Sequence, residues 1–174
     1  LDLEAELRST IRYSEDPLKA ALIYARTGNY IDFAALPEVS KETALSLIKS
    51  ENKDDLDEQE YRQFCQDMKK AENVVYITDN CGEIVLDKIA IQMLKKTFPN
   101  IRVTALVRGL PGGNDATMED AEFCGLTDVV PVLGNGNDVG GTWLHGISTH
   151  ARELLYNADV IIAKGQGNYE TLHG

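Results

Sequence analysis

The sequence has few cysteines, few basic residues and no long apolar segment. Its cysteines, Cys65, Cys81 and Cys124, form no CxxC pair, and its three histidines complete no zinc-binding spacing with them. A small, odd number of cysteines indicates free thiols in a reducing compartment, and no signal peptide is visible, so we expect a cytoplasmic protein. No apolar run approaches the roughly 18 residues that cross a bilayer, so no membrane partner is expected.

Basic side chains are scarce relative to acidic ones. The 17 Lys and Arg residues face 28 Asp and Glu residues, which gives a formal net charge of −11 over 174 residues. Because contacts to nucleic-acid phosphates need clustered Lys and Arg, we expect no nucleic-acid partner, and attraction to an anionic membrane is disfavoured for the same reason. A phosphorylated ligand would need a bound cation or a few well-placed donors to overcome this field.

Residues 1–70 have the pattern of a helical subdomain. Asp16-Pro17 is typical of a helix N-cap followed by proline, and Gly28 is typical of a helix end. Ser40 is expected to cap a short helix. Apolar residues at helical spacing predict a further helix over 61–68.

From residue 71 onward, predicted strands alternate with predicted helices. The strands are expected at 74–78, 103–107, 129–132 and 160–163, and the helices at 84–94, 115–123 and 148–155. Each strand is too apolar for a sheet with one solvated face. The pattern therefore indicates an α/β domain in residues 71–174, with a mostly parallel sheet flanked by helices.

Glycine is concentrated after the predicted strands. Ten of the 14 glycines lie in the segments 79–83, 108–115, 134–141 and 165–168. In a parallel sheet such segments meet at the carboxyl ends of the strands, where the ligand sites of open α/β sheets lie. Turns alone also favour Gly and Asn. Four such segments in succession, each with an Asn, favour a polar site.

Three residues at this edge have the chemistry of a divalent metal site. Asp79 and Asn80 follow the first strand, and Asp115 follows the second. Carboxylate and amide oxygens are hard ligands suited to Mg²⁺ or Mn²⁺, and this set would leave open positions for water and substrate. The alternative is that these residues only cap helices.

Basic and small residues at the same edge are candidates for holding a phosphate. Lys164 ends the fourth strand and precedes a glycine-rich segment, although in a P-loop the lysine follows the glycines. Arg108, at the matching point after the second strand, is a lesser candidate. A helix start near residue 82 offers further N–H groups. The predicted phosphate- and substrate-binding residues are Gly82, Glu83, Arg108, Asn114, Gly165 and Asn168.

Three segments carry long, ordered motifs: ITDNCGEIVLD at 77–87, VRG leading to NDAT between 107 and 117, and ADVIIAKGQGNYETL at 158–172. Together they resemble the damage-control phosphatase family (domain of unknown function 89), in particular its standalone prokaryotic branch. Residues 28–33 resemble a segment of the family's helical N-terminal part.

The resemblance implies a metal-dependent phosphatase with a Rossmann-like α/β domain and a helical N-terminal subdomain. The family's metal-binding Asp-Asn pair corresponds to Asp79 and Asn80, its later metal-binding Asp to Asp115, and its phosphate-binding lysine to Lys164. The family usually continues past the motif at 168–170, so the C-terminal part of the α/β domain is expected to be missing from this sequence.

The sequence thus predicts hydrolysis of phosphomonoesters of small metabolites. Mg²⁺, Mn²⁺, Co²⁺ or Ni²⁺, held by Asp79, Asn80 and Asp115, is expected to polarise the phosphoryl oxygen. Lys164 and backbone N–H groups near Gly82 and Gly165 would bind the remaining oxygens. Whether Asp79 attacks phosphorus directly stays open, as do the natural substrate, the physiological metal and the oligomeric state.

Two alternatives stay open at this point. One is an S-adenosylmethionine-dependent carboxyl methyltransferase, against which the absence of a GxGxxG fingerprint after the first strand argues. The other is a non-catalytic protein that binds a phosphorylated metabolite.

Overall fold

The computed structural model describes residues 2–27 and 56–173, with side chains from residue 4 to 26 in the first of these segments. Gly28, the helix predicted after Ser40, and the segment 28–33 lie outside the described residues. Four strands form one parallel sheet in the order β3-β2-β1-β4. They are β1 (Asn73–Ile77), β2 (Arg102–Val107), β3 (Val132–Gly134) and β4 (Val160–Ala163). The predicted mostly parallel α/β sheet is therefore confirmed.

Helices precede the sheet and connect its strands. They are α1 (Asp2–Arg12), α2 (Pro17–Thr27), α3 (Glu58–Met68), α4 (Ile84–Thr97), α5 (Met118–Phe123), α6 (Thr149–Tyr156) and α7 (Gln166–Leu172). A single 3₁₀ turn at Cys81–Glu83 leads from β1 into α4. Within the described residues, no helix is long and apolar enough to cross a membrane.

The central strand β1 is covered on both faces. Val74 and Tyr76 pack into the cluster that contains α4, whereas Val75 and Ile77 pack against α6 on the other face. All four side chains are at most 3% exposed. Because successive strand residues point to opposite faces, covering both faces requires an uninterrupted apolar run, which the sequence provides.

The described N-terminal helices pack onto the α/β part. Leu7 of α1 and Tyr24 of α2 share a buried cluster with Leu86 and Ile89 of α4. Met68 of α3 joins the core beneath the sheet. The described part of residues 1–70 outside the turns is helical, and the subdomain boundary near residue 70 stays a prediction.

Two predicted boundaries are wrong, for local reasons. The third strand begins at Val132 rather than at residue 129, because the N–H groups of Val129 and Val130 donate to the Leu126 carbonyl in a turn after α5. The helix predicted from residue 115 begins at Met118, because Thr117 is its N-cap and forms a capping box with Asp120.

Candidate metal and phosphate site

The backbone brings the three predicted metal ligands together. Just past β1 and β2, Asn80 and Asp115 pair as an isolated antiparallel bridge. The Ala116 N–H donates to the Asp79 carbonyl at 2.7 Å, and the Cys81 N–H donates to the Asn114 carbonyl at 2.8 Å. These two bonds fasten the segment after β1 to the segment before α5. Asp79, Asn80 and Asp115 consequently lie side by side at the carboxyl edge of the sheet.

The Asp79 carboxylate lies in an environment with excess negative charge. Its side chain is half-buried, and the Asn80 Nδ2 donates to its Oδ2 at 3.2 Å. Burial raises the pKa of Asp79, and the charges of Asp115 and Asp87 raise it further, while Lys164 and Arg108 only partly offset them. A cation bound here would relieve this repulsion.

Gly165 allows the Asp79 carboxylate to lie against the segment between β4 and α7. Gly165 has a φ of +85°, a conformation that side-chain-bearing residues rarely adopt, and a Cβ at this position would overlap the Asp79 carboxylate. The glycine predicted to bind phosphate is therefore required by the packing of the candidate metal ligand. Gly165 also precedes α7, a helix that the glycine-rich sequence did not predict.

Lys164 lies in a buried ionic cluster. Its Nζ lies 2.7 Å from the Glu83 Oε2 and 2.8 Å from the Asp87 Oδ1, and the Tyr76 hydroxyl donates to the same Asp87 oxygen at 2.7 Å. We call Tyr76, Glu83, Asp87 and Lys164 the lysine cluster. Glu83 and Asp87 are 1% and 0% exposed.

Burial and mutual charge shift the pKa values of the ionisable groups in the lysine cluster. Burial raises the pKa of both Glu83 and Asp87, and the nearby Lys164 ammonium only partly counters the effect. For Lys164, burial acts to lower the pKa, but Asp87 and Glu83 together raise it above its ordinary value. The lysine therefore stays protonated across the physiological range.

Arg108 forms a second ionic group with Asp115. Its Nε and Nη2 donate to the Asp115 Oδ2 at 2.8 and 2.5 Å, and its Nη1 donates to the Gly141 carbonyl at 2.6 Å. We call Arg108 and Asp115, with the Gly141 carbonyl, the arginine cluster. Arg108 is buried, so its guanidinium orients Asp115 here. Asp115 does not cap α5, which removes that alternative for this residue, whereas Asn80 does cap the 3₁₀ turn.

The other predicted phosphate-binding residues have different environments. Asn168 is buried, and its amide joins three segments: Nδ2 donates to the Thr78 and Lys164 carbonyls, and Oδ1 accepts from the Thr142 hydroxyl. Glu83 is buried in the lysine cluster, Gly82 lies in the 3₁₀ turn, and Asn114 is exposed beside it. Direct contacts of these residues with a substrate stay predictions.

Sequence reasoning assigned no role to Asp87 and Tyr76. A signal for Asp87 is present, because it lies between Ile84 and Ile91 on the helix face that packs into the core. A carboxylate at such a position must find a buried partner. Tyr76 gave no signal, because a tyrosine fits an apolar strand as well as any aromatic residue.

The donor set fits a divalent cation with oxygen ligands. At this edge, the four carboxylates of Asp79, Glu83, Asp87 and Asp115 surround the two cations Lys164 and Arg108. By formal charge, this is an excess of two negative charges, which one divalent ion would neutralise. Across residues 2–27 and 56–173, no three His, Cys, Asp or Glu side chains are grouped to hold a metal. The predicted ligand set is two carboxylates and the Asn80 amide, which is typical of hard cations that keep water ligands.

The fold and this edge define a parallel α/β protein with an ionic site at the carboxyl ends of its strands. The whole chain, residues 1–174, matches the sequence model of the damage-control phosphatase ARMT1-like domain. The chain belongs to this family, as its motifs predicted.

Similar proteins come from archaea. A damage-control phosphatase of Pyrococcus horikoshii is 38% identical over 154 residues, which are 87% of this chain and 52% of that protein. A damage-control phosphatase of Archaeoglobus fulgidus is 31% identical over 167 residues, 95% of this chain and 57% of that protein. A crystal structure of a DUF89 family protein from Pyrococcus horikoshii has a TM-score of 0.85 at 34% identity, covering 98% of this chain and 59% of that one. The chain spans about half the length of the curated relatives it matches.

Proposed function

We propose that this protein is a metal-dependent phosphatase that hydrolyses phosphomonoesters of small metabolites. The observation that carries the proposal is that Asp79, Asn80 and Asp115 are adjacent at the carboxyl edge of the sheet, where four carboxylates stand near two cations. Family membership supports a phosphatase, and the local charge supports the requirement for a divalent ion.

Different residues of the chain would bind the metal and the phosphate. Asp79, Asn80 and Asp115 would hold Mg²⁺, Mn²⁺, Co²⁺ or Ni²⁺, and the bound ion supplies Lewis-acid charge for a phosphoryl oxygen. Lys164, held protonated by two carboxylates, would bind another phosphoryl oxygen as negative charge develops. Arg108 would keep the Asp115 carboxylate in its ligating orientation. Backbone N–H groups near Gly82 and Gly165 are further proposed donors.

The composition supports a small substrate over a polymeric one. A net charge of −11 repels an extended polyanion such as a nucleic acid, whereas one phosphate needs only a local reversal of charge. We place the enzyme in the cytoplasm on the basis of its sparse cysteines.

The test is phosphate release from p-nitrophenyl phosphate by the full-length protein, with each of the four metals. We expect activity that a chelator abolishes, and a loss of about 100-fold or more in Asp79→Ala and Asp115→Ala. Asp128→Ala, which removes an exposed carboxylate elsewhere, is the matched control and should keep full activity. Activity that persists with a chelator, or in either site variant, would contradict the metal site.

The role of Asp79 can be separated from that of a simple ligand. If Asp79 attacks phosphorus, intact-mass measurement of rapidly quenched reactions should detect a phosphorylated chain that is absent from Asp79→Ala. Saturable phosphate binding without release under any metal would instead support a non-catalytic binding protein.

A further inference from the structure

The lysine cluster holds a side chain that is normally mobile. A lysine has a flexible four-carbon stem and an ammonium with three N–H donors. Glu83 and Asp87 contact this ammonium from two elements, the 3₁₀ turn and α4. These are ion-pair contacts only, because the Lys164 Nζ makes no hydrogen bond to any group among residues 2–27 and 56–173, so its N–H groups stay available to a ligand.

The cluster also ties Lys164 to the candidate metal ligands. The Glu83 Oε2 pairs with Lys164, while the Glu83 Oε1 accepts the backbone N–H of Asn80 at 3.0 Å. Asp87 is fixed in turn, because the Tyr76 hydroxyl on β1 donates to its Oδ1. The position of the ammonium relative to Asn80 is therefore set by side chains that are almost wholly buried.

Stability alone does not account for this arrangement. Two carboxylates are buried against one ammonium, and the Asp87 Oδ2 has no hydrogen-bond partner among residues 2–27 and 56–173. A buried ion pair is often no more stable than well-packed apolar residues, and an unbalanced one is less favourable still. The presence of a second buried carboxylate is explained if the two carboxylates together hold and orient the lysine.

We propose that Asp87 is a positioning residue for Lys164, which it fixes with one N–H directed towards the phosphate of the substrate. Asp87 is fully buried and so acts through Lys164 rather than on the substrate. Orienting the ammonium in advance avoids the cost of ordering it when phosphate binds. This proposal rests on the proposed function of the site.

The test is a double-mutant cycle on the full-length protein with Asp87→Asn, Lys164→Met and the double variant. The affinity for inorganic phosphate is measured by calorimetry with saturating Mg²⁺. We expect Asp87→Asn to weaken phosphate binding by about 10-fold, in the range of other orienting residues. If Asp87 acts through Lys164, the double variant binds phosphate as Lys164→Met does. Losses that multiply in the double variant would overturn the proposal.

Two further variants separate positioning from folding. Asp120→Asn removes a carboxylate that caps α5 and should lower thermal stability without changing the phosphate affinity. Tyr76→Phe keeps every charge of the cluster and should weaken phosphate binding by about 2–3-fold, which tests the proposal even where Asp87→Asn folds poorly. Unchanged phosphate affinity in folded Asp87→Asn, or in Tyr76→Phe, would contradict it.

The outcome is distinguishable from failure of the proposed function. Phosphate binding that depends on Asp87, without hydrolysis of p-nitrophenyl phosphate, would support the positioning role and reject the phosphatase. Hydrolysis together with an Asp87-independent phosphate affinity would reject the positioning role and leave the phosphatase intact.

Discussion

Two ionic clusters lie near Asp79, and they differ in their balance of charge. In the lysine cluster, two buried carboxylates surround one ammonium. In the arginine cluster, one guanidinium holds one carboxylate and one backbone carbonyl. The first cluster places a cation near the edge of the sheet, and the second places a carboxylate there. Such a pair suits a metal-bound phosphate, which needs an anionic ligand for its metal and a cationic ligand for its oxygens.

The choice of basic residue differs for a physical reason. Arg108 donates from Nε and Nη2 to one oxygen of Asp115 and from Nη1 to a carbonyl, an arrangement that suits the planar guanidinium with its several fixed donors. Lys164 presents a compact charge that contacts two carboxylates without a hydrogen bond to either, so its N–H groups stay available. Arg108 therefore orients a candidate metal ligand, whereas the sequence predicts it as a lesser candidate for phosphate binding.

Gly165→Ala should have the largest effect, because it displaces Asp79 from its position near both clusters. The added Cβ would overlap the Asp79 carboxylate, and φ is unfavourable for alanine. Asp79 must then move away from its place between the clusters. Because a displacement of about 1 Å can cost about 100-fold in rate, we expect at least that loss in kcat/KM for p-nitrophenyl phosphate.

Gly113→Ala is the matched control for this substitution. Gly113 also has a positive φ, at +60°, but a Cβ there would meet nothing within 4 Å. It should share the backbone strain and keep most of the activity. Equal activity losses in the two variants would show that strain, and not the displacement of Asp79, explains the effect.

Arg108→Lys should weaken the arginine cluster alone. The substitution keeps the charge but removes the planar fork, so Asp115 loses its fixed orientation. We expect metal affinity, measured by calorimetry with Mn²⁺, to fall by about 10–100-fold, as for other residues that orient a metal ligand. Arg102→Lys, at an exposed arginine of β2, should leave it unchanged. Unaltered metal affinity in Arg108→Lys would mean that Asp115 does not need its partner.

Much of this edge could be predicted from the sequence because several of its residues directly follow the predicted strands. Apolar runs predicted the strands, and in a parallel sheet their carboxyl ends must meet. Residues directly after a strand, such as Asp79 and Lys164, are therefore placed as soon as the strands are. The motifs around them predicted the family correctly.

The partners of these residues could not be predicted, because they depend on tertiary contacts. Arg108 and Asp115 are seven residues apart, and the loop path that joins them is fixed by the pairing of Asn80 with Asp115. The glycine-rich segment predicts a loop at Asn168, yet this residue lies in α7 and donates to the Thr78 carbonyl 90 residues away. Pro131 lies directly before β3 and lacks an N–H, but its carbonyl accepts from the Ala105 N–H of β2.

Metal should stabilise the protein through Asp79, and Asp79→Asn should remove that effect. At a free metal concentration of 100 times Kd, binding adds about 2.7 kcal/mol, which corresponds to roughly 5–10 °C in Tm for a chain of this size. Asp79→Asn should show little or no such shift in thermal unfolding followed by circular dichroism. Exposed Asp128→Asn should retain it. An equal metal-induced shift in Asp79→Asn would remove Asp79 from the ligand set.

The same variant should behave differently without metal. Because the folded-state pKa of Asp79 is raised, the folded protein binds more protons than the unfolded chain just above the ordinary pKa of an aspartate. The free energy of unfolding of the wild type therefore falls as pH rises through that window. Asp79→Asn has no titrating carboxyl at this position and lacks this fall. With a chelator at neutral pH the variant should melt above the wild type, and acidification below the ordinary aspartate pKa should remove the difference. A variant that melts lower at neutral pH would contradict the excess of negative charge.

The smallest expected effect is that of Tyr76→Phe, because a neutral hydroxyl donor is part of the lysine cluster and not of the arginine cluster. Tyr76→Phe removes the donor to the Asp87 Oδ1, which then keeps only Lys164, while the arginine cluster is untouched. We expect a loss of about 1–2 kcal/mol in the free energy of unfolding, measured with urea, because a buried carboxylate loses one of its hydrogen bonds. Tyr169→Phe, at a tyrosine that is 64% exposed, should change stability by less than about 0.5 kcal/mol.

Metal affinity should stay unchanged in Tyr76→Phe, since Asp115 is held by Arg108. A fall in metal affinity as large as that of Arg108→Lys would show that the two clusters act as one unit.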